Sequence, residues 1–276
     1  MSDDRSYAVP RAGLPPQTDR TVDRAVFKTA YAFLPNRTMS DITASSFPHW
    51  NNTRGWILAR PMTGFSETFA QYAMEVAPGG GSDRPEPDAD AEGVLFVLRG
   101  GATLTVDSQS HELTPGSFVY LTPGASWTLH NKGREPVSFQ WIRKRYQYVD
   151  GVQPPASFVA HDNDVPVQWM PDTNDSWGTT RFVEPDDLAH DMHVTIVSLR
   201  PGAVIPFSET HVMEHGLYVL QGKAVYQLNE DWVEVEAGDF MWLRAFCPQA
   251  CYTGGPGIFR YLLYKDMHRH PALSLY

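Results

Sequence analysis

From about residue 55 the chain runs in short apolar or alternating stretches broken by Gly, Pro, Asp and Asn: TFAQYAMEV (68–76), GVLFVLRG (93–100), ATLTV (102–106), SFVYL (117–121) and SFQWIRKRY (138–146). A second series follows: MHVTIVSL (192–199), GLYVLQG (216–222), AVYQL (224–228), DFMWL (239–243) and FRYLLYK (259–265). Side chains on a strand alternate between two faces, and short runs of this kind bounded by turn formers predict β-strands. Many such strands with few helical stretches predict an all-β sandwich or barrel. Residues 1–45 are proline-rich, then mixed and aperiodic, and are expected to form an N-terminal arm. Residues 149–189 contain GVQPPAS and PDTNDSW and are expected to be a linker with about one helical turn.

The two series repeat each other. EGVLFVLRGGATL (92–104) aligns with EHGLYVLQGKAVY (214–226), and GSFVYL from Gly116 aligns with GDFMWL from Gly238, both at an offset of 122. Two separated matches at one offset indicate a duplicated β-domain, with copies expected at 46–148 and 190–276.

Composition narrows the class. The 276 residues are 42% hydrophobic and 20% charged, which fits a folded chain with room for two domains. A net charge of −10 argues against nucleic acid or an anionic membrane as partner. No run approaches the roughly 20 apolar residues of a membrane span, and MSDDRSYAVP lacks the apolar core of a secretory signal. Cys247 and Cys251 are too few for a disulfide framework. The expected location is the cytoplasm, and the Asn-x-Ser/Thr triplets at Asn36, Asn51 and Asn174 are expected to be chance matches.

The chemistry gathers just before the second repeat, in PGAVIPFSETHVMEHG (201–216). Glu209, His211 and His215 all occupy odd positions, so on an extended strand they would share one face. A carboxylate and two imidazoles on one face match the facial set that binds a divalent metal. On FRYLLYKD, Tyr261, Leu263 and Lys265 share one face, and Leu262 and Tyr264 take the other. Lys265 either meets an anion inside the barrel or reaches solvent at the strand end. Tyr226 either points into a pocket or packs in the core. Cys247 and Cys251 flank position 249, with no base beside them, and read as small core residues; His268 and His270 read as a solvated tail.

At this point the chain resembles the cupin superfamily. The first cupin motif appears as Gly202, Glu209-x-His211, His215 and Gly222, with the acid and one histidine exchanged; the second runs from Gly238 to Gln249, where an amide replaces the usual histidine. The resemblance implies two tandem jelly-roll barrels, a bicupin, and adds Gln249 as a fourth ligand to Glu209, His211 and His215. Such oxygen and imidazole donors favour Mn²⁺ over thiolate-seeking zinc. The counterparts in the first copy are Pro87, Ala89, Gly93 and Trp127, none able to hold a metal, so one centre per chain is expected.

ETHVMEHG, the GDFMW motif with Gln249 and the terminal YLLYKD resemble the bicupin (S)-ureidoglycine aminohydrolase family, over nearly the whole chain. That resemblance implies release of ammonia from (S)-ureidoglycine to give (S)-ureidoglycolate in allantoin catabolism. It implies substrate contacts at Glu209, Gln249, Tyr226, Tyr261 and Lys265, with Glu209 and Lys265 catalytic. It also implies assembly into a homo-oligomer. Rival readings are another metal-dependent cupin enzyme, such as a dioxygenase or a small-acid decarboxylase, and a non-enzymatic ligand-binding bicupin.

Overall fold

The computed structural model describes residues 5–14, 25–62, 64–267 and 269. Its described residues fold into three antiparallel sheets. In the C-terminal half an eight-stranded sheet runs edge to edge through Val26–Phe27, Tyr31–Leu34, Phe240–Leu243, His215–Gln221, Phe259–Asp266, Met192–Leu199, Trp177–Arg181 and Val167–Trp169. A four-stranded sheet of Val204–Glu209, Gln249–Thr253, Lys223–Leu228 and Asp231–Glu236 packs against it over a core that includes Leu217, Val219, Ala224, Leu228 and Met241. In the N-terminal half one nine-stranded sheet forms both walls. Its 14-residue strand Phe69–Ser82 pairs with Val137–Arg145 along one wall and with Trp127–His130 on the other. The corner is made at Gly81, whose φ of +140° is open only to glycine and where a Cβ would lie 2.1 Å from the Leu129 carbonyl oxygen.

The two barrels pack back to back through the outer faces of their large sheets. Val94, Phe96 and Leu98 from one barrel and Tyr218 and Leu220 from the other belong to that shared core. The intervening Leu95 and Val97 fill the first barrel, and Leu217 and Val219 the second. Strands buried on both faces lose the apolar–polar alternation, which is why LFVL and LYVL read as unbroken apolar runs.

The arm and the linker are more ordered than their sequences suggest. Tyr31–Leu34 of the arm pairs with Phe240–Leu243 and so closes the second barrel rather than the first. Phe158–His161 of the linker pairs with Ser117–Leu121 of the first barrel. Val167–Trp169 and Trp177–Arg181 extend the large sheet of the second barrel upstream of residue 190, and strands stand where a helical turn was expected. These are strands of three to five residues at or next to a sheet edge, with half-buried faces, too short to display a period. His268 and His270, expected to form a solvated tail, lie outside the described residues.

Two buried polar clusters tie these parts together. Asp162, just after Phe158–His161, is fully buried and accepts both hydrogen bonds of Arg260 Nη2 at 2.8 Å, with Arg5 Nη1 at 3.0 Å and the Tyr7 hydroxyl at 2.9 Å. Between the barrels, Lys144 Nζ donates to Asp191 Oδ2 at 2.6 Å, and the Tyr120 hydroxyl donates to Glu92 Oε2 at 2.8 Å. Burial, then Asp191, push the Glu92 carboxyl well above the usual range, so it is protonated and donates to Asp191. Because its folded pKa is raised, wild-type protein loses stability as pH climbs from the ordinary carboxyl range toward that pKa. Glu92→Gln keeps a donor and cannot ionise; it is expected to match wild type near about pH 4 and to be the more stable protein above it. Urea titrations across pH check this, and an equal pH dependence in both proteins would refute the shared proton.

Candidate functional site

The site is built where the two sheets of the second barrel meet. Strand Val204–Glu209 breaks register between Ile205 and Glu209, which sets Glu209 directly opposite Gln249 in the small sheet. The strand ends there. His211 lies in the following loop, held by a hydrogen bond from the Phe246 N–H to its carbonyl at 2.6 Å, and His215 opens the next strand in the large sheet. The expectation of one extended strand carrying all three side chains is therefore corrected: the chain turns a corner between sheets, because Thr210–Glu214 is not paired. The three side chains nonetheless line one cavity of about 210 Å³. Glu209 Oε1 lies 3.5 Å from His211 Nε2, and the His211 and His215 rings are 5.0 Å apart between centroids.

Register across the large sheet places the opposite wall. His193, Lys265 and His215 are neighbours in one row, so their side chains share the inward face. Tyr261 and Leu263 point the same way, while Leu262 and Tyr264 enter the shared core between the barrels. The strand faces read from FRYLLYKD are thus the observed ones. Tyr226 also lines the cavity; its hydroxyl donates to Gln249 Oε1 at 3.2 Å and lies 3.4 Å from that of Tyr261.

Burial sets the protonation states. It drives the His215 pKa down to about 3, helped by the charges of His211 and Lys265, so the imidazole is neutral. His215 Nε2 is buried with no hydrogen-bond partner. Burial, then Arg181, lower the Lys265 pKa, against the opposing pull of Glu209. Burial raises both tyrosines far above neutrality, so they remain phenols. Cys247 and Cys251 are buried free thiols pushed up to about 11 and about 12 by desolvation, which makes them poor nucleophiles and fits their reading as core residues.

The donors suit a divalent ion: one carboxylate, two imidazoles (one of them with a buried Nε2 that has no hydrogen-bond partner) and an amide oxygen. Among the described residues no three His, Cys, Asp or Glu side chains already converge as a finished metal cage. Glu209 and His211 approach within 3.5 Å, and all three side chains line the same cavity.

The corresponding hollow of the first barrel, about 180 Å³, is lined by Pro87, Ala89, Gly93 and Trp127 together with Trp141 and Glu86. Its Trp127 and Trp141 rings meet edge to face at 5.9 Å. No imidazole lines it.

Sequence reasoning missed Trp177, Thr179 and Arg181, which line the second cavity from a strand inside the expected linker, and His193 beside Lys265. The β-branched pair Thr179–Thr180 was the available signal, and it is too short to distinguish from loop.

Comparison with known proteins agrees with this architecture. The cupin domain family model matches residues 72–143 and 195–263, one match per barrel. The chain is 31% identical to (S)-ureidoglycine aminohydrolase of Arabidopsis thaliana, covering 90% of this chain and 79% of that one. It is 30% identical to the enzyme of the same name from Escherichia coli K12, covering 91% and 94%. A crystal structure of a protein described as glyoxylate-induced, from Pseudomonas aeruginosa, superposes with a TM-score of 0.92 at 57% identity, covering 98% of each chain. Two cupin barrels, and such identity over nearly full length, place the chain in the bicupin (S)-ureidoglycine aminohydrolase family.

Proposed function

We propose that the chain hydrolyses (S)-ureidoglycine to (S)-ureidoglycolate and ammonia, in the allantoin branch of purine breakdown, with a divalent ion, Mn²⁺, held by Glu209, His211, His215 and Gln249. The observation that carries the reading is a single cavity lined by Glu209, His211, His215 and Gln249, with the half-buried Lys265 beside His215, within a chain whose relatives are named for that activity. A bound divalent ion supplies Lewis acidity and lowers the pKa of water.

The chain's own residues account for the rest. Lys265 neutralises the substrate carboxylate. Tyr261, fixed as a phenol, donates a hydrogen bond toward the ureido oxygen, and Tyr226 gives its one proton to Gln249 Oε1 and so orients that amide. Glu209 takes a proton from water as its oxygen bonds to the substrate's α-carbon, and returns it to the departing amine as the C–N bond breaks. The acidic surface repels nucleic acid, and no described helix is long and apolar enough to cross a membrane. Free buried thiols support a reducing, cytoplasmic location. Exposed Phe207 and Trp232 on the small sheet of the second barrel support assembly into a homo-oligomer.

The test is ammonia release from freshly generated (S)-ureidoglycine by metal-loaded and metal-stripped protein. Activity only in the loaded sample is expected, and none in either sample would sink the assignment. Lys265→Ala should raise KM about 10- to 100-fold, the worth of a hydrogen bond to a charged group; an unchanged KM would remove Lys265 from the carboxylate site.

A further inference from the structure

Positive charge accumulates on one side of the second barrel's cavity. Arg181 is half-buried at the end of strand Trp177–Arg181, and its Nε donates to the Thr179 hydroxyl at 2.8 Å. The guanidinium and the Lys265 ammonium line the same cavity, close enough for the arginine's charge to act on the lysine. Other arginines of this chain, buried and exposed, meet a carboxylate: Arg54 and Arg99 meet Glu75, Arg145 meets Asp88 and Arg260 meets Asp162. Among the described residues neither Arg181 nor Lys265 has an ion-pair partner.

The first barrel provides an internal comparison. Arg143, 122 positions before Lys265, is neutralised by Glu86; the residue 122 positions after Glu86 is Ser208. In the second barrel the acid is replaced by a neutral side chain, and a second cation, Arg181, is brought in from the preceding strand. Glu209 lines the same hollow and attracts Lys265, but its charge is the one the proposed metal would take up; two half-buried cations facing one hollow then repel each other and forfeit hydration, which is tolerated where an anion completes the set. A guanidinium fixed through Nε presents its Nη groups as a planar fork matched to the two oxygens of a carboxylate.

We infer that Arg181 and Lys265 together form a carboxylate subsite, so that the cavity selects ureido and amino acids bearing a free α-carboxylate over neutral ureido compounds. The inference rests on the reading of this cavity as the substrate site. It adds to that reading a binding residue from the segment that crosses between the barrels.

The probes are N-carbamoylglycine, a stable ureido carboxylate, and its uncharged amide, titrated calorimetrically into metal-loaded wild type, Arg181→Gln and Arg181→Lys. Wild type should favour the carboxylate about 10- to 100-fold. Arg181→Gln should lose most of that preference, and Arg181→Lys, which keeps the charge without the fork, should retain part of it. An undiminished preference in Arg181→Gln, or none in wild type, overturns the subsite. Should Arg181→Gln fail to fold, Arg181→Lys decides: a preference equal to wild type overturns the inference, and a clear reduction supports it. Ammonia release is measured in parallel. An Arg181-dependent preference without hydrolysis of (S)-ureidoglycine by wild type would refute the reaction and leave the subsite standing; hydrolysis without that dependence would refute the subsite alone.

Discussion

Glu209→Ala is expected to abolish ammonia release while leaving the barrel folded. Two losses combine at this position. Removing a general acid–base group alone typically slows a reaction about 10²- to 10⁴-fold, and here the same carboxylate is the charged member of the proposed ligand set. Turnover should therefore fall by more than about 10³-fold, and metal content after gel filtration should drop well below one ion per chain. The fold should tolerate the change, because the Glu209 side chain is 26% exposed and its nearest charged neighbour is His211. Its place at the end of strand Val204–Glu209 is set by backbone pairing with Gln249. Melting of the metal-free proteins should agree within a few degrees. Near-normal turnover with normal metal content would remove Glu209 from both roles.

Asp162→Ala should be the most damaging substitution for stability. The carboxylate is fully buried against Arg260, which is itself 2% exposed, and it also receives Arg5 and Tyr7 from the N-terminal arm. Breaking a buried ion pair by removing one partner costs about 3–5 kcal/mol, because the remaining charge is left without compensation. Arg260 stands on the same strand as Tyr261 and Lys265, so the damage is expected to reach the site as well. Urea denaturation gives the magnitude. A loss under about 1 kcal/mol would show that the cluster is solvated in solution. The paired substitution Asp162→Leu with Arg260→Met removes both charges and should recover most of the loss, which separates stranded charge from lost packing.

Local pattern carried far in this chain. The unbroken runs LFVL and LYVL reported strands buried on both faces, and the 122-residue offset reported two barrels. Subtracting that offset showed which barrel lacks the ligand set at the matching positions, and the structure brings Glu209, His211, His215, Gln249, Tyr226, Tyr261 and Lys265 to one cavity. Glu209, His211 and His215 were legible from their spacing and the shared face of Tyr261 and Lys265 from strand alternation, whereas Gln249 and the choice of pocket over core for Tyr226 came from the family resemblance.

The sequence alone therefore determined the all-β class, from side-chain periodicity, and the duplication, from two matches at one offset of 122, while the family resemblance supplied the set of residues expected in the second barrel's site. Only the tertiary structure decided that Tyr31–Leu34 closes a barrel some 200 positions away, that Phe158–His161 returns to the first barrel, and that Arg181 and His193 enter the cavity. Sheet edges are joined by backbone hydrogen bonds, which nearly every residue can make, so pairing between distant short strands leaves no signature in the side chains that form it. The corner at Thr210–Glu214 belongs to the same class. Odd positions share a face only while a strand continues, and where it ends is settled by what the neighbouring strand can pair with.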